Sequence, residues 1–401
     1  MGVEQVLGAT PLTAVYQPVV QLETGAVLGY EALARGSAGP EQLLAAAREQ
    51  GCCGELDWRC REVALRGALD AGLGSTLTLF VNVEPDSDMV VPDACRELVE
   101  RAESSLRVVL EVTERAVVQR PSELLRLVDW ARSRGWGIAL DDVGHDAASL
   151  AMMPFLEPDV VKLDLRLVQQ RPSPEIGLVM SAVTAQAERT GALVVAEGIE
   201  DEQDRQAALA MGATLGQGWL CGRPGELPAS LPRPDDVVPL TRTWSVHDEP
   251  TPFSVVRAAR PLRRGDKRLL LGIAGHLEAQ AVSLPEGPVV LSTFEAGEAL
   301  PEETLRRYAE LAERGSFVAA LRTGDAPDVL DGTRGARLPD DHRLADEWSV
   351  VVVGPHYAGA LVARRSGDGY DFAVTHDRTL VVEAGRALLR HVAELERPWS
   401  G

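Results

Sequence analysis

The sequence predicts a TIM-type (β/α)8 barrel followed by a smaller α/β domain. Three observations carry this. Eight short apolar runs alternate with longer amphipathic segments through the first 225 residues. Polar side chains recur at or near the C-terminal side of those runs. A proline-rich stretch follows, and beyond it apolar segments resume without that polar pattern. Strands alternating with helices imply βαβ units and a mostly parallel sheet. About eight such units in this length fit a barrel, for which roughly 250 residues is typical. An open doubly wound sheet is the alternative, but the glycine-rich phosphate-binding turn it needs after the first strand is missing.

In order, the strand-like runs are Ala14–Val20, Ala26–Glu31, Leu77–Asn82, Arg107–Val112, Gly137–Asp142, Asp159–Asp164, Leu193–Glu197 and Thr214–Trp219. Helical patterns fill Glu41–Gln50, Asp57–Ala71, Pro121–Arg134, Glu175–Thr190 and Glu202–Met211. Gly135, Gly191 and Gly212 closely follow three of these helices, as C-terminal glycines do. The organisation predicted is a barrel over 1–228, an extended proline-rich linker over 229–252 and a second domain over 253–401. In that domain Leu269–Val282 reads as a helix, Val289–Phe294 as a strand and Glu302–Glu313 as a helix. Phe317–Arg322 reads as a strand, Trp348–Val353 with Ala358–Arg364 as a hairpin, Asp371–Thr375 as a strand, and Leu380–Leu395 as a closing helix. The sheet is expected to be largely antiparallel.

The formal net charge of −20 disfavours sequence-independent binding of nucleic acid, which rests on Lys and Arg neutralising phosphates. A small phosphate ester needs an offset to that repulsion, which divalent metals supply. Five cysteines without a CxxC pair argue against zinc and a disulfide framework. No basic region followed by an apolar stretch opens the chain, and no apolar run approaches bilayer length. The chain reads as cytoplasmic, with no membrane insertion.

One asparagine and two lysines stand in 401 residues. Asn82 and Lys162 both sit at or near the end of a strand-like run, the rim where a barrel keeps its chemistry. Glu31, Glu111, Asp141, Asp142, Glu197 and Gln217 share that position in other runs. Any one of them alone is more often a solvated loop residue; the repetition is what that reading explains poorly. Adjacent carboxylates at Asp141 and Asp142 repel unless a cation lies beside them. Oxygen ligands favour Mg²⁺ or Mn²⁺, and a site this acidic has room for two ions clamping a phosphate ester. Lys162 would orient the attacking water or stabilise charge on the phosphate; its competing role is a structural pair with Asp164 or Asp142. A metal-dependent aldolase or enolase-like barrel remains open from the same ligands.

These motifs resemble the EAL family of cyclic-di-GMP phosphodiesterases over roughly residues 10–228. Tyr16-Gln17-Pro18-Val19-Val20 and Gly29-Tyr30-Glu31-Ala32-Leu33-Ala34-Arg35 resemble the family's opening and its naming tripeptide. Asn82-Val83-Glu84-Pro85, Glu111-Val112-Thr113-Glu114, Asp141-Asp142-Val143-Gly144 and Lys162-Leu163-Asp164 are similar to its NxSP, ExTE, DDFG and KID segments. Ala196-Glu197-Gly198-Ile199-Glu200, then Gln217-Gly218 and Arg223-Pro224, complete the order.

The resemblance implies hydrolysis of cyclic-di-GMP to linear pGpG with two Mg²⁺ or Mn²⁺ ions, usually in a homodimer. It allows a first strand antiparallel to the rest. It makes Glu31, Asn82, Glu111, Asp141, Asp142 and Glu197 the metal ligands and Lys162, Glu197 and Glu31 the catalytic set. Gln17, Arg35, Asp164 and Gln217 become substrate contacts, and Glu114 orders the loop after the Asp pair. That loop departs from the family: His145-Asp146-Ala147-Ala148 replaces T/A-G-Y-S, with Val143 in the Phe position. The departure keeps a non-cleaving cyclic-di-GMP receptor as the alternative.

The second domain resembles the DICT sensory domain in His276–Ala281, Glu347-Trp348, Val353-Gly354-Pro355 and Asp371–Arg378. The resemblance implies a regulatory role and names no ligand.

Overall fold

A computed structural model describes residues 3–7, 11–84, 90–144, 147–169, 173–240, 250–285, 287–294, 302–323, 332–339 and 341–392. The altered pair His145-Asp146 lies outside these described residues. The chain divides into two compact units, one of Met1–Ala116, Arg126–His145 and Glu157–Trp244, the other of Val117–Leu125, Asp146–Leu156 and Ser245–Gly401.

The first unit is built around a closed eight-stranded barrel. Its strands are β1 Thr13–Gln21, β2 Val27–Arg35, β3 Thr78–Asn82, β4 Arg107–Thr113, β5 Gly137–Val143, β6 Val160–Leu163, β7 Leu193–Ala196 and β8 Leu215–Gly216. β1 runs antiparallel to both its neighbours, β2 and β8. All other neighbours are parallel.

The strand pattern sets two layers inside the barrel. Val19, Leu28, Phe80, Val109, Ala139, Val160, Val195 and Leu215, one from each strand, form a buried cluster with Val238. Side chains two residues apart in a strand share a face. Two residues beyond Phe80, Val109, Ala139, Val160, Val195 and Leu215 stand Asn82, Glu111, Asp141, Lys162, Glu197 and Gln217. Fully burying a Val or Leu contributes about 1.5–3 kcal/mol. The apolar layer therefore stabilises the closed sheet, and the layer above it is left for polar chemistry.

The second unit carries a seven-stranded sheet: β9 Arg263–Gly265, β10 Val289–Phe294, β11 Phe317–Thr323, β12 Arg334–Leu338, β13 Glu347–Val353, β14 Ala358–Ser366 and β15 Gly369–Thr375. The order is β12-β11-β10-β13-β14-β15-β9. β10 pairs parallel with β11, and β11 with β12; the remaining pairs are antiparallel. Leu270 and Leu277 of helix Lys267–Ser283 bury against Val290, Val350 and Leu361 of the sheet. At the start of the central strand β13, Glu347 is wholly buried and accepts from Thr251 Oγ1 at 2.6 Å, the amide of Phe253 at 3.1 Å and Arg364 at 2.6 Å. Those three donors satisfy a carboxylate that water cannot reach.

No described helix is long and apolar enough to cross a membrane. None of the five cysteines, all of them described, is in a disulfide.

Candidate active site

Lys162 is the centre of the polar layer. It is 1% exposed, and its Nζ lies 2.7 Å from Glu197, 2.9 Å from Glu111, 3.2 Å from Asp141 and 3.4 Å from Glu31. These carboxylates come from residues 31 to 197 of the sequence and meet because each lies on, or directly follows, a different barrel strand. Burial alone would push the lysine pKa down; the four carboxylates outweigh it and hold the ammonium well above its ordinary value. The competing reading, a structural pair with Asp164 or Asp142, is set beside these four carboxylate contacts. Asp164 accepts from the amide of Arg166 at 2.7 Å and its Nε at 3.1 Å.

Glu31 is the best-supported acid. Asn82 Nδ2 donates to its Oε1 at 2.9 Å and Gln217 Nε2 to its Oε2 at 2.5 Å. Burial raises its pKa, but Lys162 and those donors win, and the carboxylate stays below its usual range. Gln217 also donates to Gln17 Oε1 at 3.2 Å, and Gln17 donates to the carbonyl of Gly222 at 3.1 Å. Gln17 stands directly opposite Glu31 in the β1–β2 register, which is why the two can share Gln217.

The other acids are held differently. Glu111 is pushed well above the carboxylate range by burial and then by Glu31's charge. Glu197 is raised to about 8, mainly by burial, with Lys162 opposing. Burial and Asp141 raise Asp142.

Asp141 and Asp142 illustrate how local backbone builds the site. In a regular strand, consecutive side chains point to opposite faces. Here the β5–β6 register slips between Leu140 and Val143, and Asp142 adopts φ 58°, the left-handed region. Asp tolerates that region better than most non-glycine residues. The bulge turns both carboxylates to one place: oxygens of Asp141, Asp142 and Glu197 all lie within 4.8 Å of one another. An all-oxygen set at that spacing fits Mg²⁺ or Mn²⁺. Glu114, 2% exposed, accepts from the amide of Gly144 at 3.2 Å, directly after the Asp pair.

Arg35 lies four residues beyond Glu31 on β2. It is exposed, donates to the carbonyl of Ala34 at 3.0 Å and stands outside the hydrogen-bonded cluster. Sequence reasoning missed Asp57, a 6% exposed helical carboxylate that accepts from the amide of Glu84, two residues after Asn82. Its only sequence signal is an ordinary i,i+4 pairing with Arg61.

A model of the EAL domain matches residues 4–224, over half the chain. The chain belongs to the EAL-domain family. A second model, for the sensory domain in diguanylate cyclases and two-component systems (DICT), matches residues 255–366. This EAL chain is 30% identical over 223 residues to the cyclic di-GMP phosphodiesterase RocR of Pseudomonas aeruginosa, covering 53% of this chain and 57% of the relative. It is 32% identical over 224 residues to the cyclic di-GMP phosphodiesterase PA2567 of the same organism, covering 52% and 38%. It therefore spans little more than half the length of the first relative and less of the second. Among solved structures, the manganese and cyclic-di-GMP complex of Klebsiella pneumoniae BlrP1 at pH 9.0 aligns with a TM-score of 0.48 at 29% identity, over 55% of this chain and 58% of that one.

Proposed function

We propose that this EAL chain hydrolyses one phosphodiester of cyclic-di-GMP to linear pGpG, with Mg²⁺ or Mn²⁺ as cofactor. The observation that carries the reading is Lys162 among four carboxylates at one barrel mouth, beside the convergent oxygens of Asp141, Asp142 and Glu197. Glu31, Asn82, Glu111, Asp141, Asp142 and Glu197 are the residues that would hold two ions. Bound there, such ions polarise a phosphate ester and ease deprotonation of water.

The chain's own residues supply the rest. Asn82 and Gln217 fix the Glu31 carboxylate by donating to one oxygen each. The Lys162 ammonium orients water through N–H donors and offsets negative charge that develops on the phosphate. Arg35, exposed at the strand end, suits a phosphate because its planar fork binds two oxygens. Gln17, Asp164 and Gln217 would serve as the other substrate contacts, and Glu114 accepts from the Gly144 amide directly after the Asp pair.

The reading includes regulation by the DICT unit. Helix Ala147–Leu156 starts five residues after Asp142 and belongs to the same compact unit as the DICT sheet. Within that unit Arg386 donates to the carbonyls of Phe155 at 2.8 Å and Pro154 at 3.2 Å, a cation at a helix C-terminus. The reading also includes a cytoplasmic homodimer, checked by light scattering.

The test is the purified full chain with cyclic-di-GMP and either metal. Expected are accumulation of pGpG and loss of at least about 10²-fold in Glu31→Ala. Tight binding with the nucleotide recovered intact would replace hydrolysis by the receptor reading. Absence of both binding and turnover would end the cyclic-di-GMP assignment.

A further inference from the structure

We infer that the buried Asp57–Arg61 pair is a positioning device for the Asn82 ligand. The inference rests on the proposed role of Asn82 at the metal site.

Asp57 and Arg61 lie one turn apart on helix Cys53–Asp70, with side chains 4% and 2% exposed. Their charged ends meet directly. The Arg61 guanidinium also stacks 4.5 Å over the Trp58 ring, which in turn meets Trp130 edge-on at 6.2 Å. A pair this dry is costly to desolvate, and well-packed apolar residues commonly replace one without loss of stability. The pair is therefore dispensable for folding in principle, and what it touches becomes informative.

Asp57 Oδ1 accepts from the backbone N–H of Glu84 at 2.9 Å. The preceding amide, Val83, donates to the carbonyl of Glu111 on β4 at 3.0 Å. Both backbone donors after Asn82 are thus tied down, one by the neighbouring strand and one by Asp57. The chain leaves β3 in a fixed direction. That direction sets the Asn82 carboxamide, whose Nδ2 is committed to Glu31 and whose oxygen is the atom a metal would use. Arg61 holds the Asp57 carboxylate in place through their direct contact. The exposed Arg48–Glu84 pair, 56% and 31% exposed, is a weak addition.

The double variant Asp57→Leu/Arg61→Met removes the anchor while keeping the site apolar and filled. Calorimetric Mn²⁺ titration of the full chain reads the effect without turnover. Expected are a melting temperature near wild type and Mn²⁺ affinity weakened about tenfold, the usual scale for losing a group that orients a ligand. Asn82→Ala should weaken Mn²⁺ similarly, and combining it with the double variant should add little, because both act through one carboxamide. Glu84→Pro deletes the N–H donor itself and should reproduce the loss; Asp57→Asn keeps an acceptor and should largely restore affinity. A folded double variant or Glu84→Pro protein with wild-type Mn²⁺ affinity overturns the proposal, and so do losses that simply multiply with Asn82→Ala. Wild-type protein that binds no Mn²⁺ would instead sink the functional reading itself.

Discussion

At the residue scale, the site is a balance between one ammonium and several acids. Removing Lys162 leaves buried carboxylates without their cation. Lys162→Met should destabilise the metal-free protein by about 3–5 kcal/mol, the cost of breaking a buried pair. Saturating Mn²⁺ should recover much of that, which thermal melts with and without metal will show. Glu197 gives a pH signature of its own. Its folded pKa is raised to about 8, so its favourable contribution is complete below the ordinary carboxylate range and is lost as pH rises through about 8. Glu111 and Asp142 are raised too and act in the same sense. Between pH 6 and 8.5 the metal-free melting temperature should fall, and Glu197→Gln should flatten the slope. An unchanged slope in that variant would remove Glu197 as its source. Residue types were readable here because a chain almost empty of Asn and Lys retains both at strand ends. Asp141 and Asp142 were expected to act together beside a cation, but the register slip and left-handed φ that turn them to one place are announced by no pattern of types.

Element by element, the strands were the legible part, and glycine marks where geometry takes over. All eight barrel runs became barrel strands, because a buried barrel strand writes itself as a short apolar run. Helix Ala147–Leu156 was not anticipated. From Ser149 to Leu156 it is buried all round, so it lacks amphipathic rhythm, and Pro154 sits inside it. β9 has three residues and β12 reads Arg-Gly-Ala-Arg-Leu, so neither offers an apolar run. Gly218 follows Gln217 with φ 153°, and an added Cβ would lie 2.2 Å from the Ile199 carbonyl oxygen. Gly218→Ala should therefore cost about 2 kcal/mol or more and pull Gln217 away from Glu31. Chemical denaturation reads the first effect. The second should appear as reduced Mn²⁺ affinity, and a variant as stable as wild type would refute the packing argument.

For the whole molecule, the division into units carries the regulatory prediction. Gly385 lies where an added Cβ would come 2.5 Å from Phe155 Cε1, beside the Arg386 cap. Gly385→Leu should lower the second unit's thermal stability and change the turnover number, with Mn²⁺ affinity unaltered. Turnover identical to wild type in a folded variant would separate the DICT unit from catalysis. The presence of two domains could be read from the proline-rich break; the assignment of helix Ala147–Leu156 to the second unit could not, since it arises from packing between distant segments. The acidity of the mouth has a last consequence, for the order of events. A diester is itself an anion, and like charges about 4 Å apart repel by roughly 4 kcal/mol at an effective dielectric of 20. On the proposed function, the nucleotide arrives second, after divalent ions have reversed the local field. A chelator would then act by barring entry, well before any bond could break.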